Sequence, residues 1–395
     1  IKAYGEGDIS KAYSILSENN IFPEMCALIC PVEVQCKGAC VENIFSRRPV
    51  AISEIQQAIA KEARVQGLVK ISVPKDPSGK KVAIVGAGPA GMACAAKLLQ
   101  FGHHIEIFEK ASTLGGIPGT VIPFERIDSQ IVLNEINSLF NDAKEKRRLA
   151  IQTDFPFNSK NNIESIRQNF DAVFLGFGLS VSMQLPGVAS RPKGVIDALS
   201  YLRSVKSNGD TETGKIVAVL GGGNTAIDAA VTAREQGAQD VYIVYRRSFN
   251  EMPAWQKDRD DAMEKSIHFL ILSQPLDYVE RNGALVGLKI IQTQLGEPDE
   301  SGRRRPEIIP GSEYVLNVDQ VIEAIGQRMD DDTKKALGII ELNKSGWIKV
   351  DDCYRTSLTG VFAGGDVING GATAVQAVVD GMKTAEEIHK VFNSK

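Results

Sequence analysis

Two segments of this chain repeat one pattern: a run of β-branched residues ends in closely spaced glycines and passes directly into a stretch of small and apolar residues. Val82-Ala83-Ile84-Val85 leads into Gly86-Ala87-Gly88-Pro89-Ala90-Gly91, and Val217-Ala218-Val219-Leu220 leads into Gly221-Gly222-Gly223-Asn224-Thr225-Ala226. A strand that turns sharply into a helix buries both elements when parallel strands lie alongside it, so each repeat predicts a doubly wound α/β unit. The rest of the chain agrees. Short β-branched runs at 105–108, 172–175, 241–244, 269–272, 321–324 and 361–363 alternate with helical stretches, as parallel sheets require. A length of 395 residues allows two or three domains at about 100–200 residues each.

Composition narrows the function. With 45 Lys and Arg against 49 Asp and Glu, the net charge is −4, which excludes a basic footprint for nucleic acid. No stretch approaches the roughly 18 uninterrupted apolar residues of a membrane helix. The opening Ile1-Lys2-Ala3-Tyr4 has no signal-peptide character, so a cytoplasmic protein with neither nucleic-acid nor membrane partners is expected.

In the first loop, Gly86 serves the tight turn, Gly88 the approach of backbone to a pyrophosphate and Gly91 close helix–strand packing. Pro89 and Ala90 open the helix between them. The next strand ends at Glu109-Lys110. A carboxylate there accepts both ribose hydroxyls and repels a 2′-phosphate, which suits the adenosine half of FAD or NAD. In the second loop Gly221 and Gly223 hold the first two places and Ala226 the third. The strand that follows ends in Tyr245-Arg246-Arg247, and two guanidinium groups in place of the acid suit the 2′-phosphate of NADPH. A solvated charge pair is the competing reading. Near the end, Gly364-Gly365-Asp366 follows a strand, and Gly371-Ala372-Thr373 opens a helix whose positive end suits an anionic flavin.

The first seventy residues form a separate helical unit, with Asp8 predicted to cap a helix over 9–18 and Ser53 to start another. Pro74, Pro77 and Gly79 mark a linker. Cys26, Cys30, Cys36 and Cys40 fall within fifteen residues of this unit, with Pro31 after the second. Gaps of three, five and three residues fit iron–sulfur ligation better than the two-residue gap of zinc sites, with zinc and structural thiols as the alternatives.

These segments, in this order, resemble the two-dinucleotide-binding flavoproteins. From Phe22 onward the chain is similar to the small subunit of NADPH-dependent glutamate synthase, the N-terminal half of dihydropyrimidine dehydrogenase and selenate-reductase-like proteins. The resemblance rests on Gly221–Asp228, Tyr245-Arg246-Arg247 with Glu251-Met252-Pro253-Ala254, Ala324-Ile325-Gly326-Gln327 and the block around Asp366. It implies an FAD domain split by an inserted NADPH domain, with boundaries expected at 1–75, 76–207, 208–325 and 326–395. It also implies that Gly115, Gly116 and Arg126 lie on the flavin side and Gly326 in the cofactor loop. The segment Leu114-Gly115-Gly116-Ile117-Pro118 departs from the glutamate synthase pattern toward the selenate-reductase-like members, which puts glutamate synthesis itself in question.

By the same resemblance Cys40 matches a ligand of one 4Fe-4S cluster, while Cys30, Cys36 and Gln56 match ligands of another. The remaining ligands would come from an upstream cysteine group that this sequence lacks. Either the chain begins inside a longer polypeptide, which is the favoured expectation, or its clusters are remodelled.

The implied activity is that of an FAD-dependent NAD(P)H oxidoreductase passing electrons to a partner subunit, domain or acceptor. A non-catalytic scaffold subunit is the alternative. Hydride transfer needs stacking and a dry site rather than a strong acid. None of the four histidines falls in a motif, and no Cys-x-x-Cys occurs, which disfavours a thioredoxin-reductase-type dithiol.

Overall fold

The computed structural model describes residues 1–45, 48–299 and 302–394. The chain divides into two compact units: Ile1–Thr120, Phe124–Leu179 and Met329 to the C-terminus form the first, and Val121–Pro123 with Ser180–Arg328 the second. Among the described residues no helix is long and apolar enough to cross a membrane.

The first unit is built on a parallel sheet in the order Val361–Ala363, Ala172–Leu175, Lys81–Val85, His104–Phe108, Leu149–Gln152. Strand order reverses at Lys81–Val85, which places the first glycine loop at the switch point where such sheets open a crevice. The helices Pro89–Gln100 and Ala374–Asn393 cross at close range: a Cβ on Gly381 would lie 2.1 Å from the Ala90 carbonyl oxygen. The strand Leu149–Gln152 was not foreseen; it lies at the sheet edge with alternate residues exposed, and its short Leu-Ala-Ile run follows closely on the helix before it.

The N-terminal helices are Ile9–Asn19, Pro23–Ile29 and Ile52–Val65. Asp8 caps the first by accepting the Lys11 N–H at 2.9 Å, as expected. Ser53 does not cap the last; its hydroxyl bonds the Glu54 carboxylate, and the helix begins at Ile52. This segment belongs to the first compact unit. Glu135 of the helix Ser129–Glu145 accepts the N–H groups of Glu24 and Met25 at 2.8 and 3.0 Å, and Glu24 binds the Arg64 guanidinium through both oxygens.

The second unit carries its own parallel sheet, ordered Val195–Asp197, Gln320–Glu323, Ile216–Leu220, Asp240–Val244, His268–Leu270. It begins at Ser180 rather than 208, because Val195–Asp197 pairs at the sheet edge and Asp197 caps the helix Ala198–Asn208. It ends at Arg328 rather than 325, because Gln327–Arg328 pairs with Val181–Ser182. Sequence periodicity also missed an antiparallel layer made of Ser273–Arg281, Ala284–Pro298, Arg304–Ile308 and Tyr314–Leu316. This layer packs on the parallel sheet through Tyr278, Leu288 and Ile290 against Leu220, Val244 and Val321.

Candidate nucleotide-binding sites

In the first unit the three loop glycines have different physical roles. Gly86 sits at φ +101°, where a Cβ would also lie 2.5 Å from the Phe177 Cα, and a Cβ on Gly91 would meet the Gly86 carbonyl oxygen at 1.9 Å. Those two are demanded by the fold. Gly88 is not: a Cβ there would approach only the Gly116 Cα, at 3.9 Å. It leaves open room at the N-terminus of the helix Pro89–Gln100, whose first-turn amides have no side-chain cap. Gly115 donates to the Ala87 carbonyl at 2.9 Å, so the loops at 86–91 and 115–116 form one side-chain-free cradle.

Glu109 and the Asp366 loop stand beside this cradle. Glu109 is buried at the strand end and accepts from the N–H groups of Ala87 at 2.7 Å and Ala111 at 2.9 Å. Its neighbour Lys110 is exposed, and Arg126 is half-buried. A Cβ on Gly365 would lie 2.9 Å from the Ala90 Cβ, which brings the Asp366 loop against the glycine-loop helix. Asp366 accepts from Ala372 N–H at 3.2 Å; burial, reinforced by the Asp380 charge, pushes its carboxyl above the usual range. Thr373 caps the helix Ala374–Asn393, and Gly371 is exposed at φ +112°. Sequence reasoning missed Asp380, which fixes this corner by accepting from Gly365 N–H, the Tyr354 hydroxyl and Gln376 Nε2. A charge inside an otherwise apolar helical stretch was its signal.

In the second unit a cavity of about 600 Å³ opens over the second glycine loop, with Gly221, Gly223, Thr225, Arg246, Arg303 and Gly326 among its lining residues. A Cβ on Gly223 would meet nothing, which again leaves room at a helix start. Gly222, unremarked in the sequence, is required because a Cβ there would lie 2.6 Å from the Tyr245 ring. Ala226 is fully buried and serves packing. Asn224 does not line the cavity; its amide oxygen accepts Trp255 N–H at 3.2 Å, at the start of the helix Gln256–Glu264. Both arginines line the cavity, but they differ in exposure and partners. Arg246 is exposed toward the cavity, and partial burial with the positive charges of Arg247 and Arg303 holds its guanidinium below the ordinary value. Arg247 is buried and donates to the Arg304 carbonyl at 2.8 Å and to Asp299 at 2.7 Å. Behind the cavity, buried Glu323 accepts from Leu185 N–H at 2.6 Å, from the Tyr278 hydroxyl at 2.7 Å and from Arg191, and so pins the rim at 182–186.

The cysteine segment gives a different result. Cys26 is buried and Cys30 half-buried; the hydrogen bond between their thiols pushes Cys26 up and Cys30 down from the ordinary value. Gln56 donates to the Pro23 carbonyl at 2.8 Å. Among the described residues no three Cys, His, Asp or Glu side chains converge as a metal site. Cys40 was expected in one cluster and Cys30, Cys36 and Gln56 in another, so a 4Fe-4S cluster of four ligands would need further ligands in either case. No histidine lines the cavity; His103 and His389 bond each other at 3.0 Å away from it.

Two doubly wound units, each with a glycine-loop cradle at the carboxyl end of its sheet, define a flavoprotein oxidoreductase of pyridine nucleotides. Residues 80–381 match the pyridine nucleotide-disulphide oxidoreductase family, and residues 1–68 match dihydropyrimidine dehydrogenase domain II, 4Fe-4S cluster. The chain belongs to that oxidoreductase family and, within it, to the group of glutamate synthase small chains, and it is an FAD-dependent enzyme that passes electrons onward. It is 34% identical over 412 residues to the glutamate synthase (NADPH) small chain of Escherichia coli (strain K12), covering 98% of this chain and 84% of that protein. It is 33% identical to the NADP(+)-dependent formate dehydrogenase subunit beta of Moorella thermoacetica, covering 98% of this chain and 57% of that one. Among solved structures, Mycobacterium tuberculosis FprA in complex with NADPH shares the fold at a TM-score of 0.66 and 16% identity, over 80% of this chain and 84% of that one.

Proposed function

We propose that this chain draws a hydride from NADPH at the second unit, holds FAD in the first, and hands the electrons to an accepting subunit or domain. The observation that carries the choice of coenzyme is the contrast between strand ends. Glu109 is the first residue after the second strand of the first unit, whereas in the second unit Tyr245 takes that place and Arg246, the next residue, faces the cavity. A guanidinium there gives charge-assisted, bidentate hydrogen bonds to a 2′-phosphate, and a carboxylate repels it.

FAD, when bound, supplies the two-electron acceptor chemistry. The protein supplies position. Gly88 and the first-turn amides of Pro89–Gln100 receive the pyrophosphate, Glu109 the adenosine ribose and Asp366 the ribitol side. The start of Ala374–Asn393 at Gly371-Ala372-Thr373 offers donors and positive dipole to a reduced flavin. Gly223 and Thr225 hold the nicotinamide coenzyme's phosphates.

The acceptor reading is supported by the names of two relatives, a small chain and a subunit beta, each describing one component of an assembly. We read the protein as cytoplasmic, a compartment in which its six free thiols would persist. Anaerobic NADPH titration of the purified yellow protein tests the whole reading: bleaching of flavin absorbance supports it, and a nucleotide-binding but unreduced protein would be a scaffold. Arg246→Ala is expected to lower kcat/KM for NADPH about tenfold to a hundredfold and leave NADH nearly unchanged. Gly88→Ala is expected to yield protein with normal thermal stability of the apo form and sharply reduced FAD content by absorbance.

A further inference from the structure

We propose that Arg303, carried by the antiparallel layer, is the second guanidinium of the 2′-phosphate pocket, and that Arg247 is the strut that holds it there. The inference rests on reading the second site as an NADPH site. Tyr245-Arg246-Arg247 looks like a pair of equivalent phosphate ligands, but the fold separates their roles. Arg247 is 7% exposed, and its guanidinium is committed to the turn of the Ala284–Pro298 and Arg304–Ile308 hairpin. Its Nη2 donates to Asp299 Oδ2 at 2.7 Å, and its Nε to the Arg304 carbonyl at 2.8 Å.

Asp299 is the joint of that turn. One carboxylate oxygen takes Arg247, and the other accepts the Arg303 N–H at 3.3 Å. The Asp299 N–H donates to the Arg303 carbonyl at 2.8 Å, and the Gly302 N–H to the Asp299 carbonyl at 2.9 Å. A second clamp lies further along the hairpin, where the Thr293 hydroxyl donates to the Arg246 carbonyl at 2.8 Å. The backbone of Arg303 is thus tied to the strand end that carries Arg246; both residues line the same cavity, as does Arg247, whose guanidinium is however buried on Asp299.

Charge matching follows. Asp299 already matches the positive charge of Arg247, while the 2′-phosphate carries close to two negative charges near neutral pH. Two planar guanidinium forks can share its oxygens, each making charge-assisted hydrogen bonds. The hairpin layer has then a function in coenzyme choice, since it delivers an arginine from 57 positions beyond Arg246.

The test is calorimetric titration of the FAD-loaded protein with 2′,5′-ADP and with 5′-ADP, which needs no turnover. The wild type is expected to bind 2′,5′-ADP far more tightly. Arg303→Gln should weaken 2′,5′-ADP about tenfold to a hundredfold and leave 5′-ADP unchanged, with Arg303→Lys in between. Asp299→Asn, which loosens the joint without touching ligand, should lose part of the same discrimination. Retention of wild-type 2′,5′-ADP affinity by Arg303→Gln, alongside a loss in Arg246→Gln, would overturn the role of Arg303 and leave the NADPH site standing. Equal weakening of both ligands would assign Arg303 to structure alone. A wild type that does not distinguish the two ligands would remove the NADPH reading itself.

Discussion

Glu135 is a carboxylate kept 2% exposed on the helix Ser129–Glu145, and its two oxygens accept the Glu24 and Met25 N–H groups. Burial, with the Glu24 charge adding, raises its pKa to about 8 despite those two hydrogen bonds and Arg64. Between the unfolded value of 4.5 and about 8, the folded chain therefore binds more protons at this site than the unfolded chain. Stability from this group is complete below pH 4.5 and is lost as pH rises through 8. Urea midpoints are expected to fall between pH 5 and 8, a loss of order a few kcal/mol in unfolding free energy. Glu135→Gln should flatten that limb while lowering the midpoint at pH 5, since its amide NH₂ faces a backbone donor. A wild-type limb as flat as the variant's would mean Glu135 is ionised throughout.

At the scale of elements, the hairpin between Ser273–Arg281 and Ala284–Pro298 depends on two residues. Arg281 pairs with Ala284, leaving Asn282 and Gly283 as the loop at φ 53° and 77°. Both angles are positive, as a type I′ turn requires, and its twist matches that of the strands it joins. A Cβ on Gly283 would meet no neighbour, so substitution there isolates the backbone cost. Gly283→Ala should lower stability by about 1–2 kcal/mol, and Asn282→Gly should change it little. Urea denaturation of the two variants checks this, and equal midpoints would mean that the turn relaxes into another type. An Asn-Gly pair between alternating runs is a readable hairpin signal, yet the βαβ rhythm on either side hides it. This layer carries Arg303 beside the coenzyme cavity.

At the scale of the molecule, two segments remote in sequence meet within the first unit. His103 Nε2 meets His389 Nδ1 at 3.0 Å across 286 positions, Ser78 bonds the other His103 nitrogen at 2.6 Å, and His389 stacks on Phe101 at 4.0 Å. Burial first, then the neighbouring His389, depress His103 from 6.5 to about 4. The folded state thus binds fewer protons there between those values. Stability is complete above pH 6.5 and is lost as pH falls through 4, opposite in sign to the Glu135 limb. Calorimetric Tm should therefore peak inside the range bounded by the two groups. His103→Gln should flatten the acid side and leave the alkaline side unchanged. Parallel acid limbs in variant and wild type would show that other groups drive the loss.

The order of strands, glycine loops and helices was legible because each is a local matter: β-branched residues favour strands, and Gly86 and Gly221 occupy backbone angles other residues avoid. Glu109 and Arg246 were singled out for the same reason, since a strand end at a fixed distance from its loop leaves few choices. What the tertiary structure decided is every case where the partner is remote. Arg247 became a strut because Asp299, 52 positions away, was folded against it. Asn224 turned to Trp255, and the second unit began at Ser180 because an edge strand found its place there. Cys40 on one hand, and Cys30, Cys36 and Gln56 on the other, were singled out by resemblance, but where such ligands meet depends on the path of the chain between them. A residue's type states what it can bond; which bond it makes is settled by packing, where burial makes an unmet polar group costly and a distant partner decisive.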